Sequence, residues 1–330
     1  MLIFKGLKTE LWCIRCTALL VIAASAFGML DEYTLRLATV SAIFVLLAFG
    51  QDVAFGCAGQ LLLCQAAFFG FSAYASVLLV QRVDLPVWAA FMVAVLATVV
   101  FGAVIGRIAS RTSGHYAAMV TISVSVIFQQ VVLNWSFVTN GAAGLGNIRR
   151  LHLALSHHLF WSLDQNSTYL GFCTLVVAAA AEFLYLLHHS RLGALFLAIR
   201  EDERAAESLG IRADKVKTAA FGLAALFAGL AGPLYAGNQR IISPEDFGLF
   251  QSILILLMVI LGGKGTLIGP CLGGILVALV PEYLRAFAGL RWVTFAAAMI
   301  LCVMVLPRGL HGAIAYLGSY LFNHRKCLRA

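Results

Sequence analysis

Apolar runs close to membrane-spanning length recur along the chain, and short polar stretches separate them. A hydrocarbon core of roughly 30 Å takes about 20 helical residues. On that measure the runs predict ten spans, at 17–30, 37–50, 60–80, 86–106, 116–134, 168–188, 218–238, 249–262, 267–284 and 291–306. The first, second and eighth are short, so each is tilted, extended by flanking residues, or broken. Lipid leaves only helices and closed barrels able to satisfy the backbone. These runs are too long, and too poor in apolar/polar alternation, for barrel strands. The expected fold is all-α, a polytopic transmembrane helical bundle of about 10 spans in a single membrane domain over 1–330. It divides into six spans within 17–188, a charged segment at 189–217, four spans within 218–306 and a basic tail at 307–330.

Composition agrees with this pattern and isolates one exception. With 62% hydrophobic and 12% charged residues, most of the chain is not a water-soluble domain. Ser190 to Lys217 nevertheless holds eleven of the 38 charged side chains, between two long apolar runs. On a helical wheel Leu195, Ala198, Ile199, Ala205, Ala206 and Leu209 share one arc, with Arg200, Glu201, Glu203, Arg204 and Glu207 on the other side. Asp202 alone interrupts the apolar arc, which predicts two short helices rather than one. Ser190 is the expected N-cap of the first and Asp202 of the second, and Gly210 ends the second as a C′ glycine. A helix resting on the bilayer surface favours Lys and Arg. The nearly balanced charges here point instead to a protein partner.

Lys and Arg also set the orientation. With the N-terminus in the cytoplasm, the inner segments hold sixteen of them and the outer segments seven. The reading is N-in and C-in, with the charged segment in the cytoplasm and residues 135–167 outside. The tail at 307–330 is expected to hug the inner surface. The same asymmetry accounts for the net charge of +8. No segment builds the basic face of a folded domain that nucleic acid needs, so no nucleic-acid partner is expected. Lys5, Lys8, an apolar stretch and Ala24-Ser25-Ala26 also fit a cleavable leader. A retained first helix fits as well.

Two places interrupt the apolar pattern, 50–60 (GQDVAFGCAGQ) and 262–274 (GGKGTLIGPCLGG). Broken helices at membrane depth are tolerated where protein or a water-filled cavity covers the freed backbone. Transporters set such breaks on substrate paths, at matching points of two inverted halves. Gly59 and Gln60 in one break, and Gly262, Gly263, Gly265 and Thr266 in the other, are therefore candidate path residues in two pseudo-inverted halves. Two tight interhelical turns are the other reading. The second break fails as a phosphate loop. That loop needs glycine five residues before the Gly-Lys pair and Ser or Thr after it, and those positions hold Met258 and Gly265. Any nucleotide chemistry then belongs to another chain.

Thr121, Ser125 and Gln129 share a face of their span, which either lines the path or bonds neighbouring helices. Ala220, Ala224, Ala228 and Gly232 form a small-residue stripe for close helix contact. Glu182 stands near the inner end of its span, in position to snorkel. Cys13 and Cys16 form a single CxxC, and Cys57, Cys64, Cys173, Cys271 and Cys302 read as small apolar fillers. No metal or redox site is expected from them. Neither paired carboxylates nor a Ser/His/Asp set is evident, so the chain reads as a non-enzyme.

SRLGALFLAIREDERAAESLGI, residues 190–211, resembles the cytoplasmic coupling segment of the branched-chain amino acid permeases, membrane subunits of ATP-binding cassette (ABC) importers. GQLLLCQAAFFGFSAYASVLL (59–79) resembles that family's G-Q-x-S-L-G-x-A-A-F-F-G-I-G-A-Y segment. SGHYAAMVTISVS (113–125), TNGAAGLGNI (139–148) and SPEDFGLFQSILILLMVILGGKGTLIGP (243–270) are similar to three more. The likeness covers roughly residues 50–283.

It implies a multi-pass permease of the bacterial inner membrane, forming half of a path for branched-chain or other hydrophobic amino acids. It implies no cofactor in this chain, with ATP and Mg carried on two ABC ATPase subunits. The other implied partners are a second related permease chain, a periplasmic solute-binding protein and the surrounding lipid bilayer. Arg200, Glu201, Asp202, Glu203, Arg204, Ala205, Ala206, Leu209 and Gly210 would meet the ATPase. The wider importer motif reads E-A-A-x-x-x-G. Ala205, Ala206 and Gly210 fit it, but Arg204 stands at the Glu position, with Glu203 one residue earlier as a shifted acid. Gln65, a further candidate path residue, stands where the family usually has His, and His115 where it usually has Asp. Asn140 and Ala142-Ala143 replace Gly and Pro-containing sequence. These departures bear on the solute: urea, amide, sugar or nucleoside importers share the wider fold, and another small polar solute is the alternative. An ion-coupled carrier would need ionisable groups at mid-span, where this chain has almost no acids.

Overall fold

The computed structural model describes residues 10–21, 31–112, 115–148, 150, 165–283, 296–297, 299–300, 304 and 309–312. Residues 10–21 are helical (α1). They are followed by α2 (Glu32–Gln51), which runs on as a π-helical segment (Asp52–Cys57), then α3 (Gln65–Arg82), α4 (Val87–Ala109), α5 (His115–Asn134), the short α6 (Ser136–Thr139) and α7 (Asn166–His189). Two short helices, α8 (Arg191–Glu201) and α9 (Glu203–Ser208), precede α10 (Ala213–Gln239), α11 (Leu249–Gly262) and α12 (Ile268–Tyr283).

Among the described residues, five helical stretches are long and apolar enough to cross a membrane: Glu32–Cys57, Val87–Ala109, Tyr116–Asn134, Asn166–His189 and Ala213–Gln239. α11 and α12 are apolar but shorter. This is a helical membrane protein. The Ala24-Ser25-Ala26 motif, most of the span at 291–306, the tail apart from 309–312, and residues 151–164 of the outer stretch lie outside the described residues.

α10 is the axis of the bundle, packed against α4, α3 and α2. Its stripe of Ala220, Ala224, Ala228 and Gly232 is buried throughout. Small residues on the partners let the backbones close in, as lipid-embedded packing requires. A Cβ on Gly102 of α4 would stand 2.2 Å from Ala225 Cβ, and one on Gly232 would stand 2.7 Å from the backbone nitrogen of Ala73 in α3. Pro233 sits inside α10 and has no N–H for the carbonyl of Gly229 four residues back. Ser72 of α3 supplies the missing donor, its hydroxyl reaching Gly229 O at 2.7 Å. A kink-prone residue is thus accommodated by a neighbouring helix.

Ionic contacts fix the helix ends. The carboxylate of Glu10 in α1 accepts from the backbone N–H groups of Leu267 at 2.9 Å and Ile268 at 3.3 Å, capping α12 from the far end of the chain. Glu182, expected to snorkel, pairs with Arg15 of α1 at 2.5 Å, with both side chains partly exposed. At the opposite end of the bundle, buried Arg150 donates to Gly237 O at 3.2 Å and to Asn166 Oδ1 at 2.8 Å, while lying over the Tyr169 ring.

Both breaks are narrower than the sequence suggests, and the first comes later. Gln51–Cys57 remain helical, and the chain leaves helix only over 58–64. Gly50 and Gly56 serve close contact rather than turning. A Cβ on Gly50 would meet Ala224 O at 2.8 Å, and one on Gly56 would meet the Gly265 nitrogen at 2.8 Å. The second break spans only 263–267, and Gly269, Gly273 and Gly274 lie inside α12.

Candidate functional site

The backbone freed at 58–64 has to find partners within the bundle. Gln60 N–H donates to Ala54 O at 2.8 Å, and Gln51 Nε2 donates to Leu62 O at 2.8 Å. Leu63 N–H donates to Thr121 Oγ1 at 3.2 Å, and Ala66 N–H to Ser252 Oγ at 3.1 Å. Ser125 Oγ lies 3.2 Å from Ser252 Oγ. Thr121 and Ser125 are fully buried, so this polar face of α5 bonds neighbouring elements and holds the first break in shape. Gln129, further along α5, lies against Gly248 at the start of α11. Gln65 is buried at the start of α3, its Nε2 donating to Ala224 O at 3.1 Å and its Oε1 without a hydrogen-bond partner.

The two breaks meet the charged segment at one end of the bundle. Gly265 N–H donates to Oδ1 of Asp52, a fully buried carboxylate at the end of α2. Arg200, in the last turn of α8, donates to the carbonyl of Gly56. Its side chain runs past both breaks: a Cβ on Gly59 would stand 3.1 Å from Arg200 Cγ, and one on Gly265 would stand 3.3 Å from its Nη1. Gly59 (φ 69°) and Gly265 (φ 74°) also occupy the left-handed region that glycine tolerates. Thr266 Oγ1 accepts from Gly269 N–H at 3.0 Å, a local cap for α12 alongside Glu10. Gly262 closes against the Gly269 carbonyl, and Gly263 ends α11 at φ 117°.

α8 and α9 take the two-helix form expected from Asp202. Ser190 Oγ accepts from Gly193 N–H at 3.3 Å, and Asp202 Oδ1 accepts from Arg204 and Ala205 N–H at 2.9 and 3.1 Å. At the end of α9, Gly210 (φ 85°) donates to Glu207 O at 2.9 Å, and Ile211 donates to Ala206 O at 3.2 Å. That pair of bonds is a Schellman motif.

The faces differ from the wheel. Phe196, Ile199 and Ala206 are buried against the bundle, with Ala206 only 3% exposed. Ala205 and Leu209, assigned to the same arc, face outward, and Leu209 is 82% exposed. The extended residue Asp202 breaks the wheel, so α9 keeps its own phase. Arg200, placed on the outward charged side, points into the protein. Glu203 pairs with Lys217 of α10 at 2.5 Å, and that lysine side chain is 4% exposed. Glu201, Asp202, Arg204, Ala205, Glu207, Ser208, Leu209 and Gly210 remain on the surface.

One feature of α5 escaped the sequence reading. Ser123, Gln130 and Asn134 are exposed along a stripe with Tyr116, Met119 and Ile127, on the helix least buried of the five candidate spans. Spacing of seven and four residues marks such a stripe.

Residues 33–306 match the family described as branched-chain amino acid transport system / permease component. That match covers most of the chain. The chain belongs to this family.

It is a permease subunit of the ABC-importer type. The high-affinity branched-chain amino acid transport system permease protein LivM of Escherichia coli (strain K12) is 30% identical, over 89% of this chain and 73% of that protein. LivM of Salmonella typhimurium is likewise 30% identical over the same shares. The related permease protein LivH of Escherichia coli (strain K12) is 22% identical, over 83% of this chain and 92% of that protein. No solved structure matches this chain.

Proposed function

We propose that this permease forms half of a membrane path for branched-chain or similar hydrophobic amino acids, and that separate ATPase subunits drive it through α8 and α9. The observation that carries the coupling assignment is the capped α8–α9 pair, which presents Arg204, Ala205, Glu207 and Leu209 outward while anchoring Phe196, Ile199 and Ala206 inward. A leucine left 82% exposed beside charged side chains is apolar surface that a partner's groove would remove from water.

In this reading the domain is a ten-span bundle in the bacterial inner membrane, N-in and C-in, with α8 and α9 in the cytoplasm. The breaks at 58–64 and 263–267 belong to two pseudo-inverted halves. Gly59, Gln60, Gln65, Gly262, Gly263, Gly265 and Thr266 shape the path at those breaks, and Thr121, Ser125 and Gln129 brace it. A second related permease chain covers the exposed polar stripe of α5, since polar side chains facing lipid are costly. Two ABC ATPase subunits hold ATP and Mg, and a periplasmic solute-binding protein delivers the solute. This chain performs no chemistry itself.

The test is uptake of radiolabelled leucine by cells lacking this chain, with and without the chain restored. Loss and recovery of ATP-dependent uptake are expected. Unchanged leucine uptake in its absence would refute the substrate assignment. The purified chain alone in liposomes should move no leucine under a proton or sodium gradient, and movement there would overturn the dependence on ATPase subunits.

A further inference from the structure

Among the described residues, one group brings together three side chains able to hold a metal ion. Asp52, Cys57 and His188 each offer a ligand atom, and these atoms lie within 4.8 Å of one another. The π-helical segment makes the first two neighbours. In an α-helix, residue i+5 is rotated about 140° away, whereas the i→i+5 bonding of a π turn brings it back to the same side. Asp52 and Cys57 are the two ends of that segment. His188 comes from the last turn of α7, 131 residues along the chain, with its Nε2 at 3.4 Å from Cys57 Sγ.

The surroundings prepare these groups as ligands. His188 Nδ1 lies 2.7 Å from Leu184 O, a carbonyl that only accepts, so Nδ1 carries the proton and Nε2 turns its lone pair to Cys57. A backbone carbonyl behind the ring is the usual orienting partner of a metal-bound histidine. Asp52 Oδ1 is held by Gly265 N–H, while Oδ2 is fully buried without a hydrogen-bond partner. Asp52 lies at the closed side of the group, and Cys57 and His188 are only partly buried, leaving an approach for an ion.

We propose that Asp52, Cys57 and His188 form a site for a zinc-type divalent transition metal, with a fourth position open. Thiolate, imidazole and carboxylate together suit zinc or cobalt rather than magnesium or calcium. Bond lengths of about 2.3 Å to sulfur and 2.0–2.1 Å to nitrogen place those two atoms about 3.6 Å apart around a tetrahedral ion, against the 3.4 Å found. On binding, the Cys57 thiol releases its proton to water and neutral His188 coordinates through Nε2. The two anionic ligands balance the ion, leaving the Arg200 guanidinium on Gly56 O as the excess charge. A bound ion would tie the end of α2 to the last turn of α7, two residues before the Ser190 cap of α8, and so brace the base of the α8–α9 segment.

The experiment uses the full chain purified in detergent, stripped with a chelator and titrated with cobalt(II). A thiolate-to-cobalt charge-transfer band with tetrahedral d–d absorption, saturating at one cobalt per chain and bleached by zinc, is expected. C57A and H188A should each lose the band, and the C13A/C16A double variant should keep it. No thiolate–cobalt band in the unaltered chain would overturn the site, even if the variants fold poorly. A band that survives C57A, or that vanishes in C13A/C16A, would also overturn it by moving the metal to another cysteine.

Discussion

Gly265 donates its backbone N–H to the buried Oδ1 of Asp52 at 2.8 Å, joining the second break to the π-helical continuation of α2, 213 residues away in sequence. Arg200 enters the same junction from α8 and takes the Gly56 carbonyl. One arginine thus connects the segment proposed to meet the ATPase with both breaks proposed to shape the path.

Arg200→Ala removes that link while leaving the outward face of α9 intact. Membrane abundance should be unchanged, ATPase co-purification retained, and ATP-driven uptake lowered by about tenfold, within the range for residues that carry coupling. Parallel assays of co-purification and uptake separate the two effects. Loss of both together would assign Arg200 to docking rather than to transmission.

Asp52→Ala leaves the half-buried Gly265 N–H without its acceptor, at a cost of about 1 kcal/mol. Asp52→Asn keeps an amide oxygen in the same place and should lose less. Thermal unfolding of the detergent-purified variants should rank unaltered chain, D52N, then D52A.

Ser72→Ala should destabilise the bundle by about 1 kcal/mol, as expected for an interhelical hydrogen bond in a membrane protein, because the Gly229 carbonyl freed by Pro233 then has no donor. Restoring the helical bond by Pro233→Ala should suppress the loss. A double-mutant cycle read by thermal unfolding checks this coupling.

Glu203→Gln strips the partner from Lys217, whose ammonium is buried on α10. A fully buried pair costs about 3–5 kcal/mol to break. Glu203 is partly exposed, so about 1–2 kcal/mol is expected after allowance for screening. Lys217→Met in the same chain should recover most of it. The shifted acid next to Arg204 is thus paired within the fold, and the fully outward acid of α9 is Glu207.

The short-range features of this molecule were legible in its sequence because they depend on a few adjacent residues. Ser190, Asp202 and Gly210 cap α8 and α9 through bonds spanning at most five positions. The alanine stripe of α10 was readable for the same reason, since a helix face follows from spacing. What pairs with what across the bundle was not. Nothing near Arg200 marks it as inward-facing, because its acceptor is Gly56, 144 residues away. Gly50 and Gly56 looked like chain breakers, yet they are close-contact points inside helix, and the neighbour that requires glycine is on another element. The wheel drawn through Asp202 failed for a simpler reason: an extended residue between two helices resets the phase, so that in α9 Ala206 faces inward while Ala205 and Leu209 turn outward.

Leu209 offers the most direct test of the coupling assignment, being 82% exposed and free of any packing role in the fold. Ala206 is less suitable, since a bulky residue there would disrupt α9 itself. Leu209→Asp should leave membrane abundance and thermal unfolding as they are, while ATPase co-purification and ATP-driven leucine uptake are lost. Full co-purification and full uptake in L209D would contradict the claim that α8 and α9 are where this permease receives the ATPase stroke.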